Sequence, residues 1–206
     1  LVLAPSSIVI DNQVLTVSPL VAEAFGGELR LQGSADFSDT QNPGFRFAVV
    51  ASQLTWTPAP DPSAPGITPV PLHLKEARLG VAGTLKNWAA IGKATLQRGK
   101  ETANLAFDGI GDRAGVRIRK LQATMPQGRL DASGDVAWTP ALKWKADATL
   151  AGFDPGYFAP DWPGAVNGRI ESDGGVRDNG MLRAHVDVRD LGGSLRPGSQ
   201  AQRVQP

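Results

Sequence analysis

Residues Lys143–Phe153 read KWKADATLAGF. Trp144, Ala146, Ala148 and Leu150 fall on one side of an extended chain, and Lys143, Lys145, Asp147 and Thr149 on the other. That period of two marks an antiparallel strand with one buried face. The alternation recurs on both sides of this stretch. Phe45, Phe47 and Val49 share a face in FRFAVVASQ, and Ala103, Leu105 and Phe107 do so in TANLAFDG. Val116 and Ile118 alternate with Arg117 and Arg119, and Leu182, Ala184, Val186 and Val188 with Arg183, His185, Asp187 and Arg189.

Between these segments lie SDTQNPG from Ser38, GIGDRAG from Gly109 and SDGGVRDNG from Ser172. Gly, Asn and Asp supply the positive φ angles that tight hairpins need, so neighbouring strands are expected to pair in chain order as a meander. Prolines from Pro58 to Pro71 forbid ladder hydrogen bonds. Residues 57–71 therefore read as an extended loop within one β-rich segment spanning 1–206, the alternative being a linker between two domains.

Several strands open with apolar, any, small or apolar, any, Gly: LRLQG ending at Gly33, LGVAG at Gly83, LDASG at Gly134 and, more loosely, AVNG at Gly168. Their spacing is irregular, so this is a degenerate sheet repeat and not a fixed-period solenoid. GFDPGYFAPDWPGAVNGRIES, Gly152–Ser172, interrupts the strands. Asp154 can cap a turn that has Pro155 at its first position, and Pro160 and Pro163 end it, which predicts one short helical insert near 154–160. Asp154, Pro155, Tyr157, Phe158, Trp162, Pro163 and Gly164 form a divider between one sheet repeat and the next. Its aromatic side, with Phe153, is expected to cover one end of the sheet.

The totals exclude several classes. Of 206 residues 41% are hydrophobic and only 20% charged, which places the chain among ordered proteins. A net charge of +1, with no basic run longer than RIRK at Arg117–Lys120, argues against nucleic acid as a partner. Cysteine is absent, so there is no disulfide framework and no Cys-based metal site. The chain begins at Leu1 and carries neither a charged-then-apolar leader nor an apolar run near about 18 residues. It reads as a fragment of a longer protein.

Catalytic motifs are missing. His73, in the loop after the prolines, and His185, on a polar strand face, have no further ligands at zinc spacing. GIGDRAG and IGKAT lack the rest of a phosphate loop, and DGGVRDNG lacks the ligand pattern of a calcium loop. The 15 Asp and five Glu are scattered over turns and strand faces, with nothing to single out a hydrolytic pair. The expectation is a protein that is not an enzyme, with no cofactor and no metal. Trp56, Trp88, Trp138, Trp144 and Trp162 sit near strand ends or in the insert and read as core packing; the alternative is an amphipathic rim.

Gln127–Gly174, QGRLDASGDVAWTPALKWKADATLAGFDPGYFAPDWPGAVNGRIESDG, resembles the TamB family. The likeness rests on the G-x-L-x-A-x-G strand start, the W-x-P-A-L-x-W turn and strand, and the F-D-P-x-x-F…W-P-G…G-R-I divider, with weaker support from GGELRLQGSADFS and LGGSLRPG. That family is the inner-membrane component of the translocation and assembly module and one of the AsmA-like bridge lipid-transfer proteins. The resemblance implies a periplasmic segment of an inner-membrane-anchored protein, folded as a β-taco, an elongated, curled antiparallel sheet with an apolar trough. It also implies phospholipid transport between inner and outer membranes, support of outer-membrane biogenesis and protein secretion, and a TamA-like outer-membrane barrel as partner of the intact protein.

The residues fit such a trough on their own terms. A one-sided sheet needs a covering layer, yet no amphipathic helix is available. The expected lining is Phe45, Phe47, Val49, Leu105, Phe107, Val116, Ile118, Trp144, Ala146, Leu150, Leu182, Val186 and Val188, and the expected occupants are phospholipid acyl chains. Carrying a 16-carbon chain through water exposes methylenes at a cost on the order of 10 kcal/mol, which an apolar surface lowers without catalysis. Two rival readings stand beside this one: a scaffold that holds outer-membrane β-strands by β-augmentation, and a closed β-sandwich that binds carbohydrate or serves adhesion.

Overall fold

A computed structural model describes residues 2–3, 7–57, 70–158, 162–176, 180–195 and 202–203. Most of the proline-rich loop, 58–69, lies outside them, as do 159–161 and 177–179 of the divider and the last turn. The strands are β1 (Val2–Leu3), β2 (Ile8–Asp11), β3 (Val14–Ala24), β4 (Gly27–Asp36), β5 (Gly44–Trp56), β6 (Leu72–Thr84) and β7 (Asn87–Arg98). They continue with β8 (Glu101–Gly111), β9 (Gly115–Met125), β10 (Gly128–Ala137), β11 (Lys143–Phe153), β12 (Gly164–Val176), β13 (Leu182–Leu195) and β14 (Gln202–Arg203). Hydrogen bonds order them along the chain in one unclosed antiparallel sheet, with β2 beside β3. The all-β class and the meander are those expected, although the main strands run 10 to 14 residues, longer than alternation alone suggests.

Packing divides the chain into two compact units, Leu1–Leu85 with Ala90–Asn104, and Lys86–Ala89 with Leu105–Pro206. The boundary does not fall at the prolines. β5 and β6 pair from Gly44↔Thr84 to Trp56↔Leu72, so residues 57–71 join the two arms of one hairpin. His73 lies inside β6, not in a loop as expected, and its Nδ1 is 3.0 Å from Thr55 Oγ1 on the paired strand.

In the first unit, register fixes the faces. Phe45, Phe47, Val49 and Ala51 of β5 stand opposite Ala35, Gly33, Leu31 and Leu29 of β4 and opposite Gly83, Val81, Leu79 and Ala77 of β6. The apolar face continues through Leu15, Val17, Leu20 and Ala22 of β3. The opposite face carries Arg46, Gln32 and Ser34 and the same-strand ion pairs Arg30–Glu28 and Arg78–Glu76. Two-residue spacing puts both partners of each pair on one side.

The second unit repeats the arrangement. Val136 faces Val116 and Trp144, Ala132 faces Leu121 and Ala148, and Leu130 faces Ala123 and Leu150. The rows extend to Ile170 and Val188, Ser172 and Val186, and Val176 and Leu182. Arg117–Asp135, Arg119–Asp108, Arg129–Asp131 and Arg189–Asp187 lie on the other side.

Three of the four repeat glycines stand opposite register shifts, whereas Gly83 pairs regularly with Phe45. β3 spends three residues between Val17 and Leu20 where β4 spends two between Gly33 and Leu31. β9 does the same between Ile118 and Leu121 opposite Gly134 and Ala132, and β13 between Arg189 and Gly192 opposite Arg169 and Asn167, which flank Gly168. Gly33, Gly134 and Gly168 thus each stand at a bulge in a neighbouring strand, and bulges sharpen twist and curl a sheet. In β3 the bulge holds Pro19, which has no N–H to give a ladder.

The polar face makes stability depend on acid. The Arg129 guanidinium, hydrogen-bonded to Asp131, holds its carboxyl below the ordinary range, with a smaller contribution from Gln122. The Ser38 amide does likewise for Asp36. A carboxylate depressed in the folded state stabilises above its unfolded pKa, near about 3.9, and that contribution disappears as pH falls through the folded value. The urea midpoint is therefore expected to be insensitive to these two groups above about pH 5 and to drop below about pH 4. The double variant Asp36→Asn, Asp131→Asn should show a shallower drop; an identical acid limb would contradict the assignment.

Candidate functional site

Each unit presents one apolar face, and no second layer is stacked on it among the described residues. Of the expected lining, Phe45, Phe47 and Val49 lie together in the first unit, and Val116, Ile118, Trp144, Ala146, Leu150, Leu182, Val186 and Val188 together in the second. Leu105 and Phe107 alternate on β8 with Asp108, the partner of Arg119. No large side chain is fully buried among the described residues. Leu79 is 44% exposed, Val186 57% and Leu182 64%. A β-sandwich would bury these rows under a second sheet, and all the described strands belong to one.

The two faces hold further residues beyond that lining: Leu29, Leu31, Leu79 and Val81 in the first unit, and Leu121, Leu130, Val136 and Ile170 in the second. Ile118 and Leu121 share a face although they are three residues apart, because the bulge absorbs the extra residue. A repeat glycine opposite such a stretch is the signal that could have found them.

Three of the five tryptophans lie at the rim, while Trp88 and Trp144 are half-buried. Trp56, Trp138 and Trp162 are about half exposed. Trp88 Nε1 donates to the Asp112 carbonyl at 3.2 Å, and Trp138 Nε1 to the Arg113 carbonyl at 2.8 Å, so two indoles grip the β8–β9 turn. In that turn Asp112 Oδ1 accepts the Ala114 and Gly115 amides, the local hydrogen bonding that makes GIGDRAG a hairpin. Trp144 lies against Gly174 on β12, where an added Cβ would sit 2.2 Å from its Cζ2, and donates to Ser172 Oγ at 3.2 Å. Residues 172–176 are thus strand and not the turn expected of SDGGVRDNG. Gly174 leaves room there for an aromatic ring.

The divider folds as a single 3₁₀ turn, Pro155–Tyr157, shorter than the expected insert over 154–160. Asp154 Oδ1 accepts the Gly156 amide at 2.9 Å and the Gly164 amide, ten residues further on, at 2.8 Å. One carboxylate therefore ties the start of the insert to the start of β12. Phe158 stacks on Phe153 at 6.1 Å and meets Tyr157 edge-on at 5.2 Å, while Trp162 stays half exposed. Pro155 occupies the first position of the turn, where its missing N–H costs nothing, and Pro163 packs beside Gly156. Asp154→Ala is expected to cost about 1–2 kcal/mol and to speed amide exchange at Gly156 and Gly164. Asp154→Asn keeps an acceptor and should lose less; equal losses would point to the charge instead.

Among the described residues no group of three His, Asp or Glu is placed to hold a metal ion, and no charged or polar residue is buried. His185 faces Asp173 at 3.5 Å with both side chains in solvent.

Fold and faces together define a class: all-β proteins whose strands follow one another in an antiparallel sheet, each unit with one apolar face. The family model for the TamB N-terminal domain matches residues 26–198, well over half of the chain, and the chain belongs to the TamB family. No solved structure matches it. Membership places it among membrane-associated bacterial proteins; no described helix is long and apolar enough to cross a membrane.

Proposed function

We propose that this chain is a periplasmic segment of an inner-membrane-anchored protein, and that its apolar face shields acyl chains as phospholipids move between the inner and outer membranes. The carrying observation is that each unit has a register-locked apolar face with no described layer over it. Exposed rows such as Val186 and Val188 normally mark a partner site, since monomers rarely leave large contiguous apolar patches in water. Each methylene that moves from water onto such a face gains up to about 0.8 kcal/mol. Side chains of Val, Leu, Ile, Phe and Ala form no directional bonds with a hydrocarbon, so a chain can slide along them.

In this reading the protein is not an enzyme and uses no cofactor, nucleic acid is no partner, and support of outer-membrane assembly runs through a TamA-like barrel engaged by the intact protein. Native mass spectrometry of protein purified from membranes tests it. Phospholipid masses that disappear after delipidation and return on exposure to vesicles are expected; protein that stays lipid-free throughout overturns it.

A β-augmentation role has one observation in its favour. β13 pairs with β14 only at Ser194 and Leu195, so most of its outer edge has no strand beside it among the described residues, and an open edge accepts another strand. Crosslinks from Arg183 or His185 to barrel precursors, with none to lipid from the apolar face, would favour this reading.

A further inference from the structure

Along β11 and β12 the apolar face is not uniformly open. At the divider end Leu150 is 9% exposed and Val166 6%. Toward the other end of the same strands Ala146, Ala148 and Ile170 are only half-buried. The difference lies within single strands, so edge effects do not explain it.

What lies at the closed end is the 3₁₀ turn. Phe153 pairs with Val166 and so shares the apolar face with it. Phe158 stacks on Phe153, and Tyr157, meeting Phe158 edge-on, is 2% exposed. The turn is held in place by the double hydrogen bond to Asp154 and by the extra residue in β11, where Gly152 has φ +58 and its amide donates to Asn167 Oδ1 at 2.8 Å.

We propose that Tyr157 is a fixed stop: it occupies the apolar face over Leu150 and Val166 and so bounds the width of the acyl track to the rows from Ala148 toward Trp144. The inference rests on the lipid-shielding reading and adds to it a residue that determines how much of a chain, or how many chains, the second unit holds side by side. An aromatic ring suits this task because it fills a large volume with few rotatable bonds. The two hydrogen bonds to one carboxylate keep the turn from lifting with each passing lipid.

The absence of cysteine allows a direct test. Single cysteines are introduced at Ala146, Ala148 and Val166 on the apolar face and at Thr149 on the polar face. Each full-length variant is incubated with a phosphatidylcholine whose acyl chain ends in a maleimide, and adducts are read by intact mass. Labelling at positions 146 and 148 is expected to exceed that at 166 by about tenfold, with 149 at background. Adding Tyr157→Ala should bring 166 to within about threefold of 148, and Tyr157→Phe should leave the ratio as it was. If Tyr157→Ala does not fold, Tyr157→Val replaces it, and the unmodified background already decides the matter. Equal labelling at 148 and 166 with Tyr157 in place overturns the stop while leaving the lipid reading intact. Labelling no greater at 146 and 148 than at 149 overturns the lipid reading, and the stop with it.

Discussion

Gly33→Val is expected to lower the stability of the first unit by about 3 kcal/mol, read as a fall in the urea midpoint at unchanged slope. Two costs combine. Gly33 has φ +156, backbone that side-chain-bearing residues rarely adopt, and holding one there costs of order 1–3 kcal/mol. A Cβ at this position would also lie 2.2 Å from the Arg46 carbonyl oxygen and 2.4 Å from Cδ1 of Phe47. The carbonyl belongs to β5 and cannot rotate away; the Phe47 ring can move only by leaving the glycine it covers. Gly80, on β6 with open space around its Cβ position, is the control, and Gly80→Ala should shift the midpoint little. If the two variants were equally stable, Gly33 would not be where this part of the sheet bends.

This result bears on what the sequence could reveal. The repeat glycines are legible as a pattern, but their purpose is not, because a bulge is defined by a neighbouring strand and leaves no mark at the glycine itself. Gly134 shows the point: an added Cβ would sit 2.5 Å from the Lys145 carbonyl, a contact made only once β10 and β11 are in register. Alternation puts Trp144, Ala146 and Leu150 on one face of β11 because a single strand suffices to place them. It lost Leu121 and Leu20, which lie beyond bulges in β9 and β3.

Glycine also serves where no turn is made. In SDGGVRDNG, Gly174 makes room for the Trp144 ring and Gly175 comes within 2.6 Å, at its Cβ position, of the Leu142 carbonyl. Both are strand residues chosen for close approach. The prolines before His73 predict a loop there, yet the hairpin partner of Trp56 is Leu72, so the strand begins immediately after Pro71. The turn is legible from Asp154 and Pro155, while its tie to β12 depends on Gly164, which the fold brings back to Asp154.

Val186→Asp is expected to abolish lipid retention and leave folding nearly unchanged, the largest functional effect the face can show. Val186 is 57% exposed, so in the lipid-free protein an aspartate there keeps most of its water and loses only part of one side chain's burial. With an acyl chain laid across the row formed by Ala146, Ser172 and Val186, that carboxylate would have to shed water with no cation on its side of the sheet row, and an unpaired charge so treated costs several kcal/mol. The penalty is thus paid only in the bound state. Asp187→Val, one residue along and on the polar face, breaks the ion pair with Arg189 and should leave lipid retention as it was, since exposed pairs contribute little. Lipid mass bound per protein, measured beside urea midpoints for both variants, separates the two cases. Retention of lipid by Val186→Asp, with the fold intact, would mean that the apolar face around β13 is covered by something other than hydrocarbon.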